Sequence, residues 1–169
     1  MMDIYEKKCV VIGGGRVAER RVRALLACHG KVHVISPDIT GEFENWVQSG
    51  RLTWEARRYM PGDCHGAFLV LACTDDRKTN GLVAKEAGET GALVNVADSP
   101  DESNFIFPST VRRGGLTFAI STEGKNPALC RRIRERLEDI LDTQYEAIWE
   151  ILRDAEDERE KSSNYRHKR

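Results

Sequence analysis

A glycine-rich stretch near the amino terminus has the residue types and spacing that bind a phosphate group. Residues 13–18 read GGGRVA, match the pattern G-x-G-x-x-A, and directly follow a short apolar run. Gly13 permits a tight turn, Gly15 lets the backbone approach a pyrophosphate, and Ala18 lets the next helix pack closely on the strand. The first N–H groups of that helix would bind the phosphates. The alternative is a glycine turn needed only for packing. The stretch therefore predicts a site for a dinucleotide cofactor. The residues predicted to bind this cofactor are Gly13, Gly15, Arg16 and Val17.

The residues after the second predicted strand concern the choice between NAD and NADP. Folds that bind NAD usually carry Asp or Glu about 20 residues after the glycines, where it binds the ribose 2′-hydroxyl. That position is Ser36 here, followed by Pro37 and Asp38. Ser36 can form a hydrogen bond, Asp38 can approach the ribose from the next turn, and no arginine follows at once to bind a 2′-phosphate. We therefore predict that Ser36, Pro37 and Asp38 contact the cofactor, and that the cofactor is NAD.

Polar residues also lie after or within the two apolar runs in the middle of the chain. Thr74 follows the first run, and Asn80 lies one turn inside the next helix. Asn95 lies within the second run, where it needs a polar partner. These three residues are predicted to bind the cofactor, whereas the neighbouring pair at positions 75–76 is also suited to capping a helix. Asp98 ends the second run. Because the carboxyl ends of parallel strands share one edge of a sheet, here called the rim, Asp98 and Thr74 are expected at the same rim. A carboxylate there can act as a general base or orient a substrate.

A basic cluster lies in the last third of the chain. It comprises Lys125, Arg131, Arg132, Arg134 and Arg136. Because arginine pairs bidentately with carboxylates, the cluster indicates a cleft for a small polyanion. The alternative is an ordinary solvated helix face on which the arginines pair with glutamates.

Alternating strand and helix signals over the first hundred residues would position these groups. Strands are predicted at 9–12, 31–36, 52–58, 67–73 and 92–97, with helices near 18–26, 43–47 and 79–88. Leu82, Val83 and Ala87 are expected to face inward, and Gly30 to stop the first helix. The alternation predicts an α/β fold with a doubly wound, Rossmann-like parallel sheet.

A different pattern follows Pro100. Strands are predicted at 104–108 and 116–122, with a turn at Gly114-Gly115 between them. An apolar helical stripe then runs from Leu129 to Leu141, and Ile148, Ile151 and Leu152 extend it through a second helix. The predicted division is a nucleotide-binding domain over 1–112, a small, mainly helical dimerisation segment over 113–153, and a polar helical end and tail over 154–169. A stripe with so little chain left to cover it favours a homodimer.

Composition limits the function classes. Twenty-six Lys and Arg residues against 27 Asp and Glu residues give a net charge of −1, which argues against a nucleic-acid-binding protein. The apolar runs fall short of the roughly 18 residues that span a bilayer, so we expect no membrane segment. Five cysteines without Cys-x-x-Cys spacing indicate reduced thiols in the cytoplasm rather than disulfides or a zinc site. The four histidines have no metal-binding spacing, and no metal ligand is assigned.

Five segments in register carry a family resemblance. They are GGGRVAERR from Gly13, ACTDD from Ala72 with Asn80, VNVAD from Val94, NFIFPS from Asn104 and ISTEGKNPAL from Ile120. Together they resemble the precorrin-2 dehydrogenase / sirohydrochlorin ferrochelatase family, which also forms the amino-terminal module of siroheme synthases. The resemblance covers residues from about 8 to about 140. It departs from the family in a short leader and in Asn126, which stands where the family usually has a serine.

The resemblance implies a reaction and a set of site residues. Precorrin-2 would be oxidised to sirohydrochlorin, with NAD⁺ taking the hydride, in a homodimer with a helical dimerisation segment. Asp98 would be the catalytic residue. The substrate carboxylates would meet Lys125, Asn126, Arg131 and Arg132. Some family members also insert Fe²⁺, and the short helical region leaves that activity open here. Two alternatives remain: a nucleotide-sensing domain of a potassium-transport system, and another small NAD-linked oxidoreductase.

Overall fold

The computed structural model describes residues 2–113, 116–144 and residue 150. Its contacts divide the chain into two compact units, Met1–Phe107 and Pro108–Arg169. The first unit ends five residues before the predicted boundary at 112, because the segment that follows Pro108 is a strand that pairs within the second unit.

The first unit is a five-stranded parallel sheet with helices on both faces. Its elements are β1 (Lys8–Ile12), α1 (Arg16–Ala27), β2 (Lys31–Ile35), α2 (Gly41–Gln48), β3 (Thr53–Glu55), β4 (Leu69–Ala72), α3 (Arg77–Glu89) and β5 (Leu93–Val96). The strand order is β3-β2-β1-β4-β5, with every pair parallel. The chain adds strands on one side of β1 up to β3 and then on its other side from β4 to β5, so the topology switches between β1 and β4. Doubly wound sheets bind their ligands at this switch point, next to the carboxyl ends of the strands. The predicted Rossmann-like fold is confirmed.

Two apolar layers hold the sheet. Side chains of α1 and α2 pack on one face, and those of α3 pack on the other. The central strands β1 and β4 are buried on both faces apart from Lys8, as expected of parallel strands covered on two sides. The polar groups that follow these strands are therefore attached to the most rigid part of the unit.

Two details of the helices differ from the sequence prediction. The first helix ends before Gly30: the N–H groups of His29 and Gly30 donate to the carbonyls of Leu26 and Leu25, and His29 takes the left-handed conformation with φ of 56°. This is a Schellman end with histidine in the position that glycine usually occupies. Leu82, predicted to face inward, is 48% exposed. The face of α3 that packs on the sheet instead carries Asn80, Val83 and Ala87.

The strand predicted at 104–108 is wrong. Those residues form an irregular segment that side chains attach to β5. Asn104 accepts a hydrogen bond from the Val94 N–H and donates one to the Ala92 carbonyl, and Asn95 donates to the Phe105 carbonyl at 2.8 Å. The Asn104 N–H also donates to the Val94 carbonyl at 3.0 Å. Because the other hydrogen bonds come from side chains, the segment lies against β5 without forming a backbone ladder.

The second unit contains a β-hairpin and a helix. Its elements are β6 (Ser109–Arg113), β7 (Leu116–Ile120) and α4 (Pro127–Thr143), and the two strands pair antiparallel. Among the described residues of this unit, Leu141 of α4 and Val111 of β6 are the buried apolar side chains. The predicted turn at 114–115, the helical residues 148, 151 and 152, and the tail from 154 lie outside the described residues.

Candidate active site

The glycine turn after β1 is fixed by close backbone contacts. Gly13 has φ of 110°, and a Cβ atom placed on it would lie 2.4 Å from the carbonyl oxygen of Cys73. Its N–H donates to the carbonyl of Ile35 at 2.9 Å. Gly13 therefore lies where the ends of β1, β2 and β4 meet, and any side chain would force these strands apart.

Gly15 leaves open space at the start of α1. It is the N-cap residue, with no side-chain cap, and a Cβ atom placed on it would meet nothing within 4 Å. The N–H groups of Arg16 and Val17 occupy the first turn, where an α-helix offers no backbone acceptor. An open cradle lined by these N–H groups and favoured by the helix dipole fits a dinucleotide phosphate.

The loop after β2 is held against this turn. A Cβ atom on Gly14 would lie 2.4 Å from the carbonyl oxygen of Asp38. The Ser36 hydroxyl, which is buried, donates to that same carbonyl at 2.7 Å. Ser36 thus shapes the loop with its donor, while Pro37 and the Asp38 carboxylate are exposed. Asp38 is the acidic side chain that this loop presents to solvent.

Glu19 holds the same loop, a role that the sequence analysis missed. Its carboxylate accepts a hydrogen bond from the Thr40 hydroxyl at 2.8 Å and another from Arg23 at 3.1 Å. The signal that could have found it is an acidic residue in the first turn of α1, where the helix dipole favours it.

The carboxyl ends of β4 and β5 are joined by Asn80. This residue is 0% exposed. Its Oδ1 accepts from the Thr74 N–H at 3.1 Å and from the Thr74 hydroxyl at 2.7 Å. Its Nδ2 donates to the Thr74 carbonyl and to Asp98 Oδ1, both at 3.0 Å. These four hydrogen bonds use the full capacity of the amide, which holds Thr74 and Asp98; the contact of Asn80 with a cofactor stays a prediction.

Asp98 stands at the rim with one oxygen held and the other open. Its side chain is 40% exposed, and Oδ1 also lies 3.5 Å from the Arg77 guanidinium, which is itself ion-paired with Glu102. Within the described part of the chain, Oδ2 accepts no hydrogen bond. A carboxylate with one free oxygen at the end of a strand is suited to accept a proton.

Asp76, rather than Asp75, caps the next helix. It accepts hydrogen bonds from the N–H groups of Lys78 and Thr79, together with the Thr79 hydroxyl at 2.6 Å. The Thr79 hydroxyl and the two backbone bonds hold the pKa of Asp76 below its usual value. The capping alternative therefore holds for this residue.

Among the described residues, Oδ1 of Asn95 is the one buried side-chain oxygen or nitrogen without a hydrogen-bond partner. Asn95 is 5% exposed, and its Nδ2 donates to Phe105. A buried acceptor without a partner costs free energy unless water or a ligand satisfies it. This oxygen is consistent with a donor supplied by a bound molecule near the rim.

Cys73 follows β4 and contacts α1, a pairing that the sequence did not reveal. The Arg21 guanidinium donates to its Sγ at 3.3 Å. Burial raises the pKa of the Cys73 thiol, although the positive charge of Arg21 opposes that rise. The thiol is therefore protonated at neutral pH and packs as a small apolar group.

The predicted substrate residues of the second unit lie at or before the first turns of α4. Asn126 is the N-cap residue, and its Oδ1 accepts from the Leu129 N–H at 2.9 Å. Arg131 pairs with Glu135 at 2.8 Å, and Lys125 pairs with Glu123. In the described residues, Arg132 forms no ion pair and is exposed. The arginines of the basic cluster thus lie on a solvated helix face, where Arg132 and Arg136 form no ion pair among the described residues.

The described residues contain neither a candidate metal site nor a candidate membrane span. In 2–113 and 116–144, no group of three or more His, Cys, Asp or Glu side chains is placed to hold a metal ion. In the same residues, no helix has the length and apolarity needed to cross a membrane.

Family models match both units of the chain. A model described as NAD(P)-binding matches residues 1–109, and one for the central part of siroheme biosynthesis proteins matches residues 113–140. The chain belongs to the precorrin-2 dehydrogenase and siroheme synthase family. The family match and the open glycine turn agree on a nicotinamide dinucleotide as cofactor.

Individual relatives agree with this family. A siroheme synthase of Aeromonas salmonicida is 40% identical over 142 residues, which are 84% of this chain and 30% of that protein. A siroheme synthase of Nitrosomonas europaea is 37% identical over 145 residues, 85% of this chain and 30% of that protein. The chain thus spans about 30% of the length of these relatives. The solved structure of SirC, a precorrin-2 dehydrogenase, superimposes with a TM-score of 0.80 at 30% identity, over 91% of this chain and 76% of SirC.

Proposed function

We propose that this chain oxidises precorrin-2 to sirohydrochlorin with NAD⁺. The observation that carries the proposal is the rim of the first unit. There, the open turn at Gly15 and the carboxylate of Asp98 lie at the carboxyl ends of strands in one parallel sheet. The family resemblance and the similarity to SirC support the same substrate.

The chain's own residues would divide the work between binding and proton transfer. NAD⁺ bound at the turn supplies a hydride acceptor. The N–H groups of Arg16 and Val17 bind its pyrophosphate, and Thr74 contacts it at the end of β4. Dehydrogenation removes a hydride and a proton from the substrate. Asp98 Oδ2 accepts that proton and passes it to solvent, to which its side chain is 40% exposed.

The loop after β2 supports a preference for NAD over NADP. The exposed Asp38 carboxylate lies in the loop expected to reach the ribose. A carboxylate there can accept a hydrogen bond from a 2′-hydroxyl, whereas it repels a 2′-phosphate. Ser36 and Pro37 fix the loop that presents Asp38.

The second unit supports a homodimer in which α4 contributes to both the interface and substrate binding. Leu129 and Ile133 of α4 are 41% and 38% exposed, and burial against a partner subunit would cover them. Arg131 and Arg132, with Lys125 and Asn126 at the helix start, would meet the substrate carboxylates.

An anaerobic assay tests the proposal. The purified chain is mixed with precorrin-2 and NAD⁺, and NADH is followed together with the visible spectrum of the tetrapyrrole. Stoichiometric NADH and sirohydrochlorin are expected, with slower turnover on NADP⁺. Absence of NADH from a folded protein that binds NAD⁺ would overturn the proposed reaction and favour a nucleotide-sensing domain or another substrate. Adding Fe²⁺ afterwards shows whether metal insertion exceeds the rate without protein.

A further inference from the structure

The side-chain amide of Asn80 is the main contact that the first unit makes with the Asp98 carboxylate. We propose that Asn80 is a positioning residue that fixes Asp98 through Oδ1 and so leaves Oδ2 as the oxygen that accepts the substrate's proton. This inference rests on the proposed dehydrogenase function. It assigns Asn80 a role in proton transfer that is distinct from the cofactor contact predicted from the sequence.

The geometry of Asn80 leaves one orientation for its amide. Oδ1 accepts two hydrogen bonds from Thr74, and Nδ2 donates one to the Thr74 carbonyl and one to Asp98 Oδ1. If the amide were flipped, Nδ2 would face the donor N–H of Thr74, and Oδ1 would face a carbonyl and a carboxylate. The flipped state is therefore strongly disfavoured, and the donor toward Asp98 is fixed.

The second contact to Asp98 is weaker. Arg77 lies 3.5 Å from Asp98 Oδ1, and its guanidinium is shared with Glu102. Both Arg77 and Asp98 have side chains exposed by 40% or more, and exposed ion pairs of this kind contribute little. Asn80 is fully buried and donates at 3.0 Å. The direction of the carboxylate is therefore set by Asn80.

The arrangement also links Asp98 to the end of the neighbouring strand. Thr74 follows β4 and Asp98 follows β5, so one buried amide sets the spacing between the residue proposed to contact the cofactor and the residue proposed to take the proton. A misplacement of about 1 Å at a reacting group can cost about 100-fold in rate. A change at Asn80 should therefore lower kcat.

The isosteric substitution Asn80→Asp tests this role. It keeps the acceptor that faces the Thr74 N–H and hydroxyl, and replaces the donor that faces Asp98 and the Thr74 carbonyl with an oxygen. Asn104→Asp is the matched control, since Asn104 also accepts from and donates to the backbone of the β5 region but has no contact with Asp98. NAD⁺ affinity, thermal unfolding, and kcat and KM for precorrin-2 are measured for both variants between pH 6 and pH 8.5.

We expect Asn80→Asp to lower kcat at pH 8 by about 10- to 100-fold relative to Asn104→Asp, with NAD⁺ affinity retained. We also expect partial recovery at pH 6, because a protonated carboxyl group at position 80 can donate to Asp98 again. A kcat equal to that of Asn104→Asp at every pH overturns the inference. So does a loss that appears only as weaker NAD⁺ binding.

A second measurement keeps the inference testable if Asn80→Asp does not fold or if the wild-type chain does not turn over precorrin-2. Hydrogen exchange of the Asn80 side-chain amide is followed by NMR in the wild type and in Asp98→Ala. We expect at least a 10-fold faster exchange of one Nδ2 proton in Asp98→Ala. Unchanged exchange overturns the positioning contact. Lack of wild-type turnover with this exchange difference present overturns the proposed function and the proton-transfer role that rests on it, while the contact by which Asn80 positions Asp98 stands.

Discussion

The rim of the first unit and the start of α4 hold their polar groups in opposite ways. At the rim, Asn80 and Gly13 are tied to other elements by buried hydrogen bonds and backbone contacts. On α4, Arg131 and Arg134 pair with glutamates one turn further along the same helix. The first arrangement fixes positions between strands, whereas the second stays within a single helix.

This difference indicates how each region would use its charges. Ion pairs between residues i and i+4 on a helix surface are worth only about 0.3–0.5 kcal/mol, so a substrate carboxylate can displace the glutamates with little loss. The buried contacts of Asn80 cannot be exchanged for a ligand without leaving Thr74 or Asp98 unsatisfied. The rim is thus suited to precise chemistry, and α4 to adjustable binding of a polyanion.

The strongest test of the rim is Asp98→Ala. General base catalysis is worth about 100- to 10,000-fold, so kcat for precorrin-2 should fall by at least about 100-fold, while NAD⁺ binding and the melting temperature stay close to those of the wild type. Asp101→Ala, an exposed aspartate of the same loop region, serves as the control and should retain activity. Turnover of Asp98→Ala within threefold of the control would remove Asp98 from the mechanism.

Much of the rim could be predicted from the sequence because parallel strands leave a strong local signature. A buried apolar run followed by glycine or by Thr-Asp-Asp fixes both the strand and its end, and strand ends in a doubly wound sheet share one edge. The role of Asn80 could not be predicted, since its partners depend on how α3 packs against two strands.

The irregular segment at 104–108 shows another limit. Its alternation of Phe and other residues is typical of a strand, but side chains on and beside β5 take the hydrogen bonds that a ladder would need. Local periodicity does not contain that information. The arginines of α4 were predictable as a cluster, and their pairing with Glu135 and Glu138 follows from the i, i+4 spacing that the alternative of a solvated helix face assumes.

Substitutions of Gly15 and Gly13 test cofactor binding and folding separately. Gly15→Asp places a side chain in open space, so the fold should tolerate it, but bulk and negative charge beside the pyrophosphate should weaken NAD⁺ binding by about 30-fold or more. Gly13→Ala should instead destabilise the protein by about 2 kcal/mol or more, because φ of 110° and the nearby Cys73 carbonyl leave no room for a Cβ atom.

Gly41→Asp is the control for the added charge. Gly41 also lies at the start of a helix with nothing within 4 Å of its Cβ position. Calorimetric titration with NAD⁺ and thermal unfolding distinguish the three variants. Unchanged NAD⁺ affinity in a folded Gly15→Asp protein would contradict the phosphate site, and full stability of Gly13→Ala would contradict the close contact with Cys73.

A smaller effect is expected on α4. Arg132→Gln removes an exposed guanidinium near the start of α4 that has no acidic partner among the described residues, and Arg134→Gln removes one that is committed to Glu138 at 2.7 Å. We expect Arg132→Gln to raise KM for precorrin-2 by about 3- to 10-fold at low salt, without changing kcat or NAD⁺ affinity. Arg134→Gln should affect KM less. Equal KM values for the two variants would contradict the assignment of Arg132 to the substrate.

The smallest expected effect concerns the start of α4. Asn126 caps the helix through the Leu129 N–H, so Asn126→Ala should lower stability by about 1 kcal/mol. Asn126→Ser restores a side-chain oxygen of similar capping strength and should recover most of that loss.

Comparing KM for precorrin-2 in the two variants then separates capping from substrate contact. Recovery of both stability and KM in Asn126→Ser means that Asn126 acts by fixing the helix. A KM that stays raised in the serine variant, despite recovered stability, means that the amide itself contacts the substrate. In that case α4 would contain a fixed recognition group of the kind otherwise found at the rim, and the contrast between the two regions would no longer hold.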